Sequence, residues 1–370
     1  PLAGVAPTSI APPALAQATD GAAGDIVIGQ SAHLSGPLAP TFQAVLRGQD
    51  IALKEFNARG ALGGRNVRLL TLDDAYDPAK TVANVRKLLD RDDVVALYGL
   101  SNTAGVAASL PVLADKRVPL VGIYSGSPAL RNPQHPYFFT TMASYQDEVV
   151  QMVRNLVTLQ CSRIALAYQN SPFGQLMTPV VEQTCKALGA ELVAMAPLEV
   201  NGSDAQACVD KLAAAKPQAW MFMSFGPSMV PFVKLARQKL PVPIYCVSIA
   251  NSQAILQAQG PSARGLAIAQ IVPYPFQATS ALTRNYHAAM RALDLPVDYD
   301  HFFGYMNMQI LLEGLRRAGR NVNGQKLVAA VEGMSMVDIG GYTVDFAPGR
   351  HHGSQFVELV MVGGEGRYVR

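Results

Sequence analysis

The chain has 370 residues, 49% hydrophobic and 15% charged, with a formal net charge of +3. That balance suits a folded protein of about two domains and excludes a disordered one. A single Trp, no basic stripe and no apolar run approaching ~18 residues argue against a nucleic-acid surface and a membrane span.

Residues 1–24 are small and Pro/Ala-rich and read as a flexible leader. Ala14-Leu15-Ala16 has the form of an export-signal cleavage site, so the protein is expected to be exported. A first strand, Asp25–Gln30, leads to a turn at Ser35-Gly36-Pro37 beside His33. Thr41–Ala58 is an amphipathic helix with Phe42, Val45, Leu46, Leu53 and Phe56 on one face. After a strand at Val67–Leu72, Asp77 and Pro78 suit the N-cap and first turn of a helix running to Leu89.

Val94–Tyr98 is a third strand, broken by Gly99, Ser101, Asn102 and Thr103. A small-residue helix with Val106, Leu110 and Leu113 follows. Pro119–Ile123 is a fourth strand, ending in Tyr124-Ser125-Gly126-Ser127. Two strands joined through one helix should be parallel neighbours, with their carboxyl ends on one edge. In open α/β sheets that edge binds ligands, and helix N-termini there offer N–H groups and partial positive charge. Two hydroxyl-rich loops on it form a candidate cradle for a carboxylate or other polar head group; Ser and Thr as plain helix caps are the alternative.

The pattern then repeats. Strands are expected at Arg163–Tyr168, Glu191–Ala196, Ala219–Ser224 and Ile244–Ser248, and helices at Phe173–Leu188, Ser203–Ala215 and Pro227–Lys239, with a joint near Thr140–Ala143. After Ile271 come helices at Ser280–Ala292, Phe302–Ala318 and Gln325–Val331, a strand at Tyr342–Phe346 and a last one at Gln355–Val362. Asp294, Asp298 and Asp300 fall in the connection before the Phe302 helix, away from the cleft. His351-His352 falls in a polar, solvated loop. The cysteines, Cys161, Cys185, Cys208 and Cys246, match no zinc or CxxC spacing. Cys161 precedes a strand and Cys185 lies near the end of the helix after it, so these two could bridge. No phosphate-binding, zinc-protease, nucleophile-elbow or dinucleotide motif is present, and the reading is a binder without cofactor or metal, not an enzyme.

Several of these segments together resemble the Leu/Ile/Val-binding protein family, the periplasmic solute-binding proteins of ABC importers. Ser35-Gly36-Pro37, GALGGRNVRL and above all DDAYDP at 73–78 carry the likeness, with the Ser101–Thr103 loop, Tyr124–Ser127 and Ser171-Pro172-Phe173-Gly174, in order over about 25–362. The resemblance implies a type I periplasmic binding fold: two doubly wound Rossmann-like α/β lobes joined by a three-crossing hinge. Lobe 1 would be 25–141 plus 272–336, and lobe 2 142–271 plus 337–370. It also implies a small-molecule ligand, permease subunits of an importer as partners, a monomer, and no nucleic acid or membrane insertion.

Family ligand positions carry over unevenly. The carboxylate-holding hydroxyl corresponds to Thr103, beside Ser101 and Asn102, and the next strand end supplies Tyr124, Ser125 and Gly126. A lobe 1 aromatic corresponds to Thr41, and lobe 2 aromatics correspond to Phe173 and Phe225. The acid that pairs with a ligand ammonium corresponds to Ser248. A cysteine pair of many members corresponds to Tyr76 and Asn102, both lost here. The missing acid points to a carboxylate without an α-ammonium, such as an aromatic or branched acid, over an apolar amino acid or an amide, with Asp147 and Glu148 as substitute partners. A ligand sensor of the same fold is the alternative to a transport protein.

Overall fold

Alternating apolar strands and amphipathic helices build two sheets in this computed structural model, which describes residues 24–36, 39–60, 62–250, 252–364 and 367–370. The expected leader up to residue 23 and Pro37 of the expected turn lie outside them. The first half runs β1 (Ile26–Ala32), α1 (Ala39–Ala58), β2 (Val67–Asp73), α2 (Pro78–Leu89), β3 (Val94–Leu100), α3 (Thr103–Lys116), β4 (Leu120–Ile123) and β5 (Phe138–Phe139). The second runs α4 (Tyr145–Thr158), β6 (Arg163–Gln169), α5 (Pro172–Ala187), β7 (Glu191–Leu198), α6 (Ala205–Ala214), β8 (Ala219–Met223), α7 (Met229–Lys239), β9 (Ile244–Cys246), α8 (Gln253–Gln259) and β10 (Leu266–Gln270). The remainder is α9 (Ala281–Ala292), α10 (Tyr299–Ala318), α11 (Gly324–Glu332), β11 (Val337–Asp338), β12 (Thr343–Val344), β13 (Glu358–Val362) and β14 (Tyr368–Val369).

The first sheet has the order β2-β1-β3-β4-β5 and is parallel throughout. The second has the order β14-β13-β10-β9-β8-β6-β7, parallel except where β13 and β14 run antiparallel. Both read as doubly wound, since each strand order reverses around its first strand. Parallel strands buried on both faces need continuous apolar sequence, and β1, β8 and β10 are buried along their whole length.

α10 belongs with the first sheet, packing on α1 and β4. The two helices meet backbone to backbone. A Cβ added at Gly304 would lie 1.9 Å from the Val45 carbonyl oxygen, and one at Gly48 would lie 1.9 Å from that of His301. Only glycine permits that approach. Asp298 caps α10 by accepting from His301 N at 2.8 Å, so the helix begins at Tyr299 and not at the expected Phe302. The expected strands at Tyr342–Phe346 and Gln355–Val362 shorten to β12 and β13, while α4, α8, β5, β10 and β14 were not foreseen.

The chain crosses between the sheets three times: after β5, after β10, and between α11 and β13. We propose the lobe boundaries 25–141 with 272–336 and 142–271 with 337–370 at these crossings. Two of them lie side by side. Thr140 N donates to His351 O at 2.9 Å and Gly353 N donates to Thr140 O at 2.8 Å. The histidine pair expected to be solvated is therefore packed at the crossing, with His351 buried and His352 half-buried. His351 stacks on Phe139 at 3.9 Å, with Nδ1 3.0 Å from His135 O and Nε2 2.9 Å from a Glu332 oxygen. His352 Nε2 donates to Arg131 O at 2.9 Å, and its Nδ1 meets Thr140 Oγ1 at 2.9 Å.

The bridge between Cys161 and Cys185 is also corrected: all four cysteines are free thiols. Cys161 Sγ donates to Leu159 O at 3.7 Å in the turn before β6, half-buried against the apolar cluster of α4, α5 and β6 in which Cys185 is buried.

The α1–α10 contact generates a stability prediction. Gly304→Ala forces two backbones apart, and overpacking of this kind costs ~1–3 kcal/mol. Its urea-denaturation midpoint is expected to fall measurably below that of the wild type; an unchanged midpoint would show that the crossing has room to spare.

Candidate functional site

Residues at the carboxyl ends of β1, β3 and β4 on one side, and of β6, β8, β9 and β10 on the other, line a cavity of about 200 Å³. The loops there are held by short polar contacts. In the DDAYDP segment, Asp73 accepts from Leu34 N, Ser35 N and Ser35 Oγ, tying the turn after β1 to the end of β2. Asp74 accepts from Ser31 Oγ at 2.7 Å and from Thr81 Oγ1 at 3.0 Å, and Asp77 caps α2. The motif is thus scaffolding: it sets Tyr76, at φ +63°, against the cavity. Gly174 does similar work across the cleft. A Cβ there would stand 1.9 Å from Gln169 O, so glycine lets the start of α5 fold tightly over the end of β6 and aim Phe173 inward.

Of the residues singled out in the sequence, Ser101, Thr103, Tyr124, Ser125, Gly126, Phe173, Phe225 and Ser248 line the cavity. Thr103 Oγ1 and Ser125 Oγ lie 2.7 Å apart, bringing together the two loops read as a cradle. Asn102 caps α3 by accepting from Gly105 N, which leaves the N–H groups of Thr103 and Ala104 without helical partners. Asn102 does not line the cavity: Oδ1 serves that cap and Nδ2 donates to Tyr76 O at 2.6 Å. Tyr76 and Asn102, the two positions at which the resemblance implied a lost cysteine pair, are thus joined here by a hydrogen bond. Thr41 falls in α1, with its side chain outside the described residues.

The walls are aromatic on both sides. Phe42 stands T-shaped to Tyr124 at 5.0 Å, and Phe303 of α10 at 5.1 Å from the same ring. Opposite them, Phe173 packs edge-on against Tyr145 at 5.3 Å and Phe225 at 5.7 Å. His33 stacks on Phe42 at 4.3 Å, and its Nδ1 lies 2.8 Å from Ser101 Oγ. Burial pushes the His33 imidazole down, against the pull of Asp74 and Asp73, so the ring is neutral at pH 7. Among the described residues no carboxylate hydrogen-bonds to it, and the Ser–His pair lacks the orienting third group of a hydrolase.

The acids differ from expectation. Asp147 closes a capping box with Ser144, and Glu148 accepts from Ser248 N at 2.6 Å and Ser248 Oγ at 2.8 Å; neither lines the cavity. Asp300, expected in a distant connection, does line it. The earlier start of α10 brings it to the cleft, where it accepts from Gln253 N of α8 at 3.2 Å, linking a helix of the first sheet to one packed with the second. Burial pushes Asp300 up to about 7, helped by Asp298. Burial likewise pushes Glu148 up to about 7, although Ser248 donates to it twice. Arg131 completes the charged lining, held by Met142 O, which accepts from Nη2 at 2.8 Å. Nothing in the spacing of Leu130-Arg131-Asn132-Pro133 marks it as a site residue. Asp298 before an apolar run was a readable cap that would have placed Asp300 in the first turn of a helix.

The raised carboxyls set a pH dependence. Each keeps its proton in the folded state to about pH 7, while in the unfolded chain it ionises near ~4. Stability should therefore fall as pH rises through that window and level off above it, by at most ~1.4 kcal/mol per pH unit and group. The denaturation midpoint of the ligand-free protein is expected to be higher at pH 5 than at pH 8, and less so in Asp300→Asn. A flat wild-type profile would contradict the burial of these charges.

Comparison with known proteins agrees with this geometry. The sequence pattern of the periplasmic binding protein family matches residues 25–367. A substrate-binding periplasmic protein from Ralstonia solanacearum is 32% identical, with 93% of this chain and 99% of that chain covered and a TM-score of 0.83. A possible leucine/isoleucine/valine-binding protein from Rhodopirellula baltica is 25% identical, covering 93% and 96%, with a TM-score of 0.84. An amino acid binding protein from Pseudomonas aeruginosa is 25% identical over 221 residues, which span 58% of this chain and 58% of that relative's length. The chain belongs to the periplasmic binding protein family, with the two-lobed type I fold.

Proposed function

We propose that the protein is the extracytoplasmic solute-binding component of an ABC importer, and that it captures a small carboxylate with an apolar or aromatic body between its lobes. The observation that carries this reading is the cavity itself, with the Thr103–Ser125 hydroxyl pair at the start of α3 at one point and aromatic rings from both sheets around it. At about 200 Å³ it lies below the ~300–1,000 Å³ of drug-sized sites, which suits a metabolite of few heavy atoms. A carboxylate there would accept from the two hydroxyls and the free N–H groups of α3, and the rings would bury its body. The Pseudomonas aeruginosa relative is named an amino acid binding protein and the Ralstonia solanacearum one a substrate-binding periplasmic protein, which supports a transport role with permease subunits as partners.

A second ligand reading has an observation of its own. The expectation of a ligand without an ammonium rested on the lack of an acid in the cleft, and Asp300 removes that ground. A zwitterionic amino acid could place its carboxylate in the cradle and its ammonium on Asp300.

A thermal-shift screen of branched, aromatic and amino acids finds the ligand, since a compound at 100 times its Kd adds ~2.7 kcal/mol to stability. A hydrogen bond to a charged group contributes ~1.5–3 kcal/mol. Thr103→Val and Ser125→Ala are each expected to weaken binding of that ligand roughly ten- to a hundredfold; unchanged affinity in both would mean that the cradle is misplaced. Competition between an amino acid and its deamino acid then separates the two readings. A tenfold preference for the amino acid, lost in Asp300→Asn, is the result that establishes the second.

A further inference from the structure

Arg131 is a cavity residue whose hydrogen bonding is incomplete. It follows the Ser125–Ser127 loop after one turn of 3-10 helix, where two crossing segments hold it: Nη2 donates to Met142 O at 2.8 Å, and its own carbonyl accepts from His352 Nε2 at 2.9 Å. Its Nε is buried with no hydrogen-bond partner, and among the described residues no ion pair joins it to a carboxylate. The Asp147 carboxylate acts on it from a distance while accepting from Ser144 N and Oγ. Burial pushes the guanidinium down to about 10 despite that pull, as expected for a cation lacking a close counter-charge.

Among the described residues that line the cavity, Gln270 Nε2 and Tyr299 Oη are further buried polar atoms with no hydrogen-bond partner. Like the Arg131 Nε, both carry a hydrogen to donate. The wall thus has a surplus of donors, and a buried donor without an acceptor is costly. A shift of these side chains toward an occupant with acceptor oxygens would satisfy them. The Thr103–Ser125 cradle does not by itself demand a charge. A hydroxyl both donates and accepts, so it serves a carboxylate, an amide or a water, whereas a guanidinium only donates and favours an anion.

We propose that Arg131 reads the charge of the ligand: its guanidinium pairs with the ligand's acid group and so makes the cavity a site for carboxylates over their uncharged amides. This rests on the carboxylate reading above and adds its specificity-determining residue. The cradle orients the head group, and Arg131 rejects the neutral isostere. Amino acids and deamino acids alike would be held by Arg131, and Asp300 distinguishes between those two.

The experiment uses the full chain and matched pairs on one skeleton: benzoate with benzamide, and 4-methylpentanoate with 4-methylpentanamide. Affinities are measured by calorimetry for the wild type, Arg131→Gln and Arg131→Lys. In the wild type the acid of the better pair is expected to bind about a hundredfold more tightly than its amide, the ratio one charge-assisted hydrogen-bond pair supplies. In Arg131→Gln that ratio is expected to collapse below tenfold through loss of acid binding, while amide affinity is kept. Arg131→Lys retains a cation and an intermediate ratio, which covers the case in which the glutamine variant does not fold. An acid-to-amide ratio unchanged in both variants would overturn the proposal and leave Arg131 a structural strap on Met142. Failure of every acid, amino acids included, to bind the wild type would overturn the carboxylate reading itself and this inference with it.

Discussion

A parallel strand cannot pair with its neighbour until the chain has travelled back along the sheet, and that constraint decides where everything else lies. It puts a helix behind every strand and sends every carboxyl end to one edge. In this chain the rule operates twice, on the five strands of the first sheet and on β6 to β10 of the second, to which β13 and β14 add as antiparallel strands, and the two edges face one cavity. Loops at such an edge need polar side chains to satisfy backbone groups left by the strands, and helices starting there leave N–H groups free. The hydroxyls of Ser101, Thr103 and Ser125 therefore have a structural reason to be present before any ligand is considered, and the proposed ligand capture would reuse them.

The hinge follows from the same geometry. Because α10 packs on the first sheet and β13 completes the second, the chain must return between them, giving three crossings in place of one. Thr140, His351, His352 and Gly353 bind two of those crossings to each other, and His352 passes the connection on to Arg131. The floor of the cavity is thus made of the segments about which the lobes would turn in a hinge closure. Charge is managed in the same layer. Glu148 is spent on the backbone and hydroxyl of Ser248, so the acid behind that position stabilises the loop and is not offered to the cavity. Asp300 and Arg131 remain on the wall, held by one main-chain partner each.

Much of this was legible in the residues. The β-α alternation, the Asp77-Pro78 cap and the two hydroxyl loops rest on local rules, apolar periodicity and helix N-termini, whereas the DDAYDP and Ser-Pro-Phe-Gly segments carried the family resemblance. The loops led to Ser101, Thr103, Tyr124, Ser125 and Gly126 on the cavity wall, and the resemblance supplied Phe173, Phe225 and Ser248. What escaped depended on tertiary context or on a boundary. Reading α10 from Phe302 left Asp300 in a connection, although Asp298 was a normal cap; three residues of helix start changed the charge of the site. Arg131 sits on a loop with no periodicity, and only the burial of its Nε singles it out. His351 and His352 look solvated in a run of Gly, Arg and Ser, but the crossing beside them buries His351 and half-covers His352. The cysteines could be judged only by position along a β-α unit, which does not fix the direction in which each side chain points.

A crystal structure grown with the tightest-binding acid decides the matter most directly. The expected result is one ligand between the lobes, its carboxylate within hydrogen-bond distance of Thr103 Oγ1 and Ser125 Oγ and facing the Arg131 guanidinium, with its body between Tyr124 and the Phe173–Phe225 pair. A ligand bound with its acid group turned away from those hydroxyls, or seated outside the space between the two sheet edges, would contradict it.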